Sequence, residues 1–262
     1  MEYIVQYLLL GSFAGLAAGL LGVGGGLIIV PVLVWLLSQQ GVSQDIIVHL
    51  AVGTSLATII FTSMSSVRAH HRYGAVQWPF VFNIAPGIII GALIGAWIAR
   101  YMPSKVLASF FGIFEILVAI QMGFGVKPHA ARNLPSSWII SGVGSVIGSV
   151  SAIVGIGGGT MTVPYLVWCN VAMRKAVATS AAVGLPIAVA GAVGFIWTGW
   201  EHSSLPKDNW GFIVPQAFIG IVLASVLFAP LGAKLAHQLP ALLLKRVFAL
   251  FLFLLGVRML VI

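Results

Sequence analysis

Two hydroxyl pairs and two glycine triplets carry the chemistry this sequence can offer. Thr54 and Ser55 sit in AVGTSLA, and Thr179 and Ser180 sit in AVATSAA. Gly24, Gly25 and Gly26 lead to Pro31, and Gly157, Gly158 and Gly159 lead to Pro164, in otherwise apolar stretches. Glycine triplets break helices, and a proline one turn further on removes a backbone donor. A half-helix that starts after such a break presents amide hydrogens without intrahelical partners, together with the positive end of its dipole. Two such ends beside neutral hydroxyls would bind an anion without any charged side chain. The candidate ligands are therefore Gly24, Gly25, Gly26, Pro31, Thr54, Ser55, Gly157, Gly158, Gly159, Thr160, Pro164, Thr179 and Ser180. Thr160 and Thr162 stand where the first copy has Leu27 and Ile29, so more donors are expected from the second copy.

The elements that position these residues are membrane segments. Of 262 residues, 60% are hydrophobic and 7% are charged, with a mean hydropathy of +1.10. That is too few charges to cover a water-soluble domain. Apolar runs of the roughly 20 residues needed to cross a ~30 Å hydrocarbon core recur throughout. The net charge of +8 comes from Lys and Arg scattered singly or in pairs between those runs. Such a pattern fits loop charges that set membrane orientation rather than a nucleic-acid surface. The single cysteine, Cys169, excludes an intramolecular disulfide and reads as a small buried hydrophobe. The first Lys or Arg is Arg68, so the N-terminal stretch lacks the basic region of a signal peptide and reads as the first membrane segment.

The chain reads as a tandem duplication. Gly22–Trp35 falls on Gly155–Trp168 with nine of fourteen positions identical. AVGTSLA then falls on AVATSAA, and GAWIARYMP (Gly95–Pro103) on GAKLAHQLP (Gly232–Pro240). The expected division is a first transmembrane repeat over 1–126, a linker over 127–137 and a second repeat over 138–262. Each repeat carries four apolar segments, the first too long for one span and broken at its glycines. They run over Ile4–Leu37, Ile46–Val67, Trp78–Arg100 and Val106–Val126, then Trp138–Trp168, Ala176–Trp197, Trp210–Leu231 and Ala241–Ile262. Small residues every fourth position (Gly11, Gly15, Gly19; Gly87, Gly91, Gly95, Ala99) predict close helix crossings.

Charge counting chooses between a broken segment that crosses and one that returns. If both cross, six Lys or Arg lie inside and seven outside. If both return, nine lie inside (Arg68, Arg72, Lys127, Arg132, Arg174, Lys175, Lys234, Lys245, Arg246) and four outside (Arg100, Lys105, Lys207, Arg258). The second count obeys the positive-inside rule and turns one repeat upside down relative to the other, the plan of many secondary transporters. The fold expected is an all-α, multi-pass membrane protein of two inverted repeats.

Four of the five carboxylates (Glu2, Asp45, Glu201, Asp208) fall in terminal or loop positions. Glu115 lies inside an apolar run and is the candidate for proton coupling. Arg174, at the entrance of the second Thr-Ser helix, is the candidate for drawing anions inward. His70 and His71 read as loop charge rather than a metal site.

The two copies of G-[VI]-G-G-G-x-x-x-V-P, each followed by a [GA]-T-S helix, resemble the sulfite exporter TauE/SafE family, also called the sulfonate uptake permease family. The resemblance covers essentially the whole chain. It implies an integral membrane transporter for small anions such as sulfite, sulfonates, sulfoacetate or other organosulfur and carboxylate compounds. An enzyme is disfavoured: the sequence has no Ser-His-acid set, no metal-spaced His or Cys group and no G-x-x-x-x-G-K loop, and GVGGGL lacks the dinucleotide spacing. No cofactor or metal is expected. The expected partners are a small anionic substrate, the lipid bilayer and a second copy of the chain, with no nucleic acid, in a bacterial inner membrane. The reading is alternating-access export. The rivals are proton- or sodium-coupled uptake, a passive anion channel, and an assembly protein that would leave the doubled breaks unexplained.

Overall fold

The computed structural model describes residues 3–22, 24–124, 135–200, 202, 205, 206, 208–235 and 241–262, with backbone alone for 21 and 241–246. Glu2, Glu201, Lys207, most of the 127–137 linker with Lys127 and Arg132, the 236–240 end of the GAKLAHQLP match, and the side chains of Lys245 and Arg246 lie outside the described residues.

Among the described residues the chain forms ten helices: α1 (Ile4–Leu21), α2 (Gly26–Gln39), α3 (Ile47–Arg72), α4 (Trp78–Tyr101), α5 (Ser104–Gly123), α6 (Ser137–Val154), α7 (Gly159–Trp168), α8 (Met173–Gly199), α9 (Pro215–Leu235) and α10 (Ala241–Leu260). Six of them (α3, α4, α5, α6, α8 and α9) are long and apolar enough to cross a membrane. The protein is an all-helical, multi-pass membrane protein. Each long first stretch is two helices, α1 with α2 and α6 with α7.

The breaks fall slightly earlier than the triplets alone suggest. α1 ends on Gly22 (φ 68°) and α6 on Gly155 (φ 75°), each with its amide bonded to a carbonyl one turn back. The following helices start from Gly25 (φ 82°) and Gly158 (φ 72°). These are left-handed conformations that suit glycine at both ends of a break. Gly26, Gly157 and Gly159 have no positive φ. Within the triplets it is Gly24, Gly25 and Gly158 that take the left-handed angles. The residues before the triplets, Gly22 and Gly155, stop the first helix.

α2 doubles back along α1. Gln40, just past the end of α2, donates from Nε2 to the Tyr7 hydroxyl near the start of α1 at 2.8 Å. α7 does the same beside α6, because the Tyr165 ring meets Phe80 at the start of α4, and α4 lies along α6 in parallel register. That register is set by small residues. A methyl added at Gly87, Gly91 or Gly95 would collide with the backbone carbonyls of Ser141, Ser145 and Ser149. Gly11, Gly15 and Gly19 of α1 meet Ile221, Ser225 and Ala229 of α9 in the same way. Removing side chains lets the backbones approach closely enough for dispersion to replace the missing hydrophobic drive in lipid.

The contacts also fix helix direction. Val214 bonds to Thr54 and Ser225 to Thr62, so α9 runs parallel to α3. Gln77 bonds to Thr179, and Gly194 packs on Ala96, so α8 runs parallel to α4. His49 reaches the Ala99 carbonyl and His71 reaches Trp78, so α3 and α4 are antiparallel. α1, α3 and α9 therefore point one way and α4, α6 and α8 the other. α3 and α8 form the centre, with 83% and 72% of their membrane windows buried, against 39–44% for α4, α5, α6 and α9. The outer helices show lipid large apolar side chains such as Phe82, Leu117 and Leu227.

Candidate functional site

The two breaks meet. A methyl built on Gly24 would lie 3.1 Å from the Cα of Gly157 and 3.4 Å from Ile59, at the midpoint of α3. Gly26, the first residue of α2, abuts the Gly155 carbonyl and Ile156. On the α8 side, a methyl on Gly184 would stand 2.8 Å from the Gly157 carbonyl. Gly25, Gly26, Gly157, Gly158 and Gly159 are buried and Gly24 is half-buried. Pro31 and Pro164 lie inside α2 and α7. Lacking an amide hydrogen, each leaves the carbonyl four residues earlier, on Leu27 and on Thr160, without its helical donor. The second helix of each break therefore carries a carbonyl without its helical donor in its first turn.

The Thr-Ser pairs are placed next to this junction but used differently from the expectation. Ser55 donates to the Gly155 carbonyl at 2.8 Å, and Ser180 reaches the Gly22 carbonyl at 3.3 Å while also within 2.8 Å of Val177. Thr54 accepts the Val214 amide at 2.9 Å, and Thr179 accepts the Gln77 amide at 3.0 Å. Each serine thus satisfies the last carbonyl of a helix that ends at a glycine, and each threonine satisfies an amide just before a helix begins. A hydroxyl has one proton. Those of Ser55 and Ser180 are committed to carbonyls here, so neither is a free donor in this conformation.

The free hydroxyls lie elsewhere around the second break. Ser151 Oγ, Thr160 Oγ1 and Thr162 Oγ1 are buried and have no hydrogen-bond partner among the described residues. Thr160 and Thr162 belong to the first turn of α7, where the amides of Met161 and Thr162 bond to the Gly158 carbonyl and those of Gly159 and Thr160 precede the first helical bond. A methyl on Gly158 would be 3.4 Å from Ser151 Oγ. Buried hydroxyls left unpaired call for an explanation, and a buried water is the simplest. Ser151 escaped the sequence reading because its equivalent, Ala18, is apolar. It was findable only as a hydroxyl one turn ahead of the glycine stop.

A void of ≈ 10 Å³, lined by Ala18, Gly22, Gly24, Thr62, Ser63, Ser66, Gly157 and Ala181, opens on the junction. That is about the room one water needs. Arg174 is exposed at the start of α8 and does not line the void. Glu115 is fully buried on α5, the helix that packs on α10, and neither of its oxygens has a hydrogen-bond partner among the described residues. It does not line the void. Among the described residues no group of three His, Cys, Asp or Glu could hold a metal ion.

A family described as sulfite exporter TauE/SafE matches residues 7–259. The chain belongs to the TauE/SafE family. This TauE/SafE chain is 35% identical over 261 residues to a "Probable membrane transporter protein" of Haemophilus influenzae, covering 98% of each chain. It is 28% identical to "Probable membrane transporter protein YunE" of Bacillus subtilis, over 89% of this chain and 91% of that one. A relative from Methanocaldococcus jannaschii, "Probable membrane transporter protein MJ0441", is 26% identical over 86% of this chain and 80% of its own length. No solved structure matches. The TauE/SafE chain is a membrane transporter and not an enzyme.

Proposed function

We propose that this protein is a secondary carrier for small oxyanions (sulfite, sulfonates or related organosulfur or carboxylate compounds) that binds them where the two broken segments meet. The observation that carries the reading is the apposition of Gly24 and Gly157 halfway along α3, with unpaired hydroxyls on Ser151, Thr160 and Thr162 at the start of α7. Helix starts and neutral donors of this kind suit an anion, which they can bind without the cost of burying a cation.

Alternating access is supported by the way sequence-equivalent helices lie. α1 and α6 point in opposite directions, as do α3 and α8, and α4 and α9. The glycine contacts repeat in kind, Gly15 on Ser225 matching Gly148 on Ile88. On this reading residues 1–126 and 138–262 are inverted repeats, and Arg68, Arg72, Arg174, Lys175 and Lys234 share the inner face. In a bacterial inner membrane the potential, negative inside, drives anion exit without a coupled ion. A void the size of one water is too small for sulfite, so the conformation described is occluded and binding requires the junction to widen. Coupled uptake is the second reading, and the unpaired carboxyl of Glu115 is the observation that favours it.

Counterflow in proteoliposomes tests the proposal. With the membrane potential clamped, labelled sulfite or sulfoacetate should enter saturably and faster against the same unlabelled anion inside. Flux that rises linearly with concentration and ignores the trans side would instead indicate a channel. If no tested anion moves, the anion reading fails. In the same vesicles, Glu115→Gln leaves counterflow and potential-driven flux unchanged if export is uncoupled. It abolishes accumulation driven by a pH gradient if the second reading is right.

A further inference from the structure

The void at the junction has a polar wall on α3, and the repeat makes the side chains of that wall comparable with those of α8. On α3 its wall is Thr62, Ser63 and Ser66, all buried. The repeat puts Ile187, Ala188 and Gly191 of α8 at the corresponding places. There the space is filled with hydrocarbon. Ile187 packs so closely on Gly158 that a methyl on the glycine would collide with it, and Leu56 lies 2.9 Å from where a methyl on Gly191 would be.

The hydroxyl wall continues along α3. Thr54, Thr58, Thr62, Ser66 and His70 recur every fourth residue and are all buried. That spacing places them on one helix face. Their α8 equivalents beyond Thr179 are Val183, Ile187, Gly191 and Phe195, without a polar atom on any side chain. Within the stripe, Thr58 and Thr62 bond to carbonyls of their own helix, and Thr62 also pairs with Ser225 at 2.9 Å. Ser66 Oγ is buried with no hydrogen-bond partner among the described residues. The stripe ends at the face carrying Arg68 and Arg72, whose positive charge raises the local concentration of anions.

We propose that Thr62, Ser63 and Ser66 form the access path by which a small oxyanion reaches the junction from the Arg68–Arg72 face, while Ile187 and Leu56 seal the junction from the opposite face. This rests on the anion-carrier reading and adds the side from which the site is reached and the residues that line the way. Ser66, whose hydroxyl has no partner among the described residues, can donate to an oxyanion weakly enough to release it again, and Thr62 and Ser63 keep the wall polar, whereas a wall of Ile and Leu excludes a hydrated ion. The void widens along this wall when the anion enters.

Single cysteines in a Cys169→Ala background test the path, with a sulfonate-bearing, membrane-impermeant methanethiosulfonate as probe. Ser66→Cys removes no hydrogen bond seen in the structure and is the primary variant. Ser63→Cys and its repeat equivalent Ala188→Cys form the matched pair. In oriented vesicles, Ser66→Cys and Ser63→Cys should react from the Arg68–Arg72 face at least about tenfold faster than Ala188→Cys does, and sulfoacetate, which unlike sulfite does not itself consume the reagent, should slow them. Equal rates at positions 63 and 188, faster reaction from the opposite face, or no reaction at either serine position would overturn the path. Counterflow by the unmodified protein, measured in parallel, keeps the two claims apart. Transport with the wrong labelling pattern defeats the path alone, whereas selective labelling without transport of any oxyanion defeats the carrier reading and, with it, the assignment of the path to an oxyanion.

Discussion

Gly158→Leu is expected to lower sulfite or sulfonate flux by at least about 100-fold while the protein still inserts and purifies. Gly158 holds φ at 72° immediately before α7, a conformation that costs a residue with a side chain about 1–2 kcal/mol. The new side chain also has to displace Ile187, against which even a methyl would collide. Overpacking of that kind costs about 1–3 kcal/mol, which a chain with this many helix contacts can absorb. The site cannot absorb it. Moving the start of α7 shifts its amides together with Thr160 and Thr162 and presses on Ser151 of α6, and a misplacement of about 1 Å in a binding constellation is worth on the order of 100-fold. Gly142→Leu is the control, since Gly142 sits on the exposed face of α6 with nothing within 4 Å of an added methyl. Leucine is the better helix former there, so flux should be unchanged. Normal flux in Gly158→Leu would remove the second break from the site.

Removal of the serine clasps should destabilise the protein unequally. Ser55→Ala strands the Gly155 carbonyl, which the serine meets at 2.8 Å inside the core. An unsatisfied buried acceptor costs about 1–3 kcal/mol. Ser180 has the longer bond to Gly22, 3.3 Å, and its proton is shared with Val177. Ser180→Ala should therefore cost less than Ser55→Ala. Thermal unfolding in detergent should show the order wild type, Ser180→Ala, Ser55→Ala, double variant, from highest midpoint to lowest. An unchanged midpoint for Ser55→Ala would mean that this bond contributes nothing to joining α3 to the end of α6.

What the sequence made legible follows from the physics that acts locally. Glycine triplets inside apolar runs located both breaks because few other residues tolerate the angles needed there. The long stretches Ile46–Val67 and Ala176–Trp197 appear as α3 and α8 with ends shifted by a few residues, since hydropathy marks a span but not its capped extensions. The stops at Gly22 and Gly155 were visible as an identity in the repeat, yet their role depends on a left-handed φ that composition does not reveal. The tertiary partners of Thr54, Ser55, Thr179 and Ser180 were illegible because each lies at least 100 residues away in sequence; only the bond from Ser180 to Val177 is local. The stripe from Thr58 to His70 was missed for a different reason. A search guided by the repeat favours what the copies share, whereas here the difference between α3 and α8 gives the junction its sidedness.

The central claim is that an oxyanion sits between the two breaks, and a heavier analogue of sulfite can show it directly. Crystals grown with selenite, measured at the selenium edge and compared with crystals without it, should give an anomalous peak beside Gly24 and Gly157. The peak should lie within hydrogen-bonding reach of one or more of Ser151, Thr160 and Thr162. A protein that transports selenite but places the peak beside Glu115, or anywhere away from both breaks, would contradict the account.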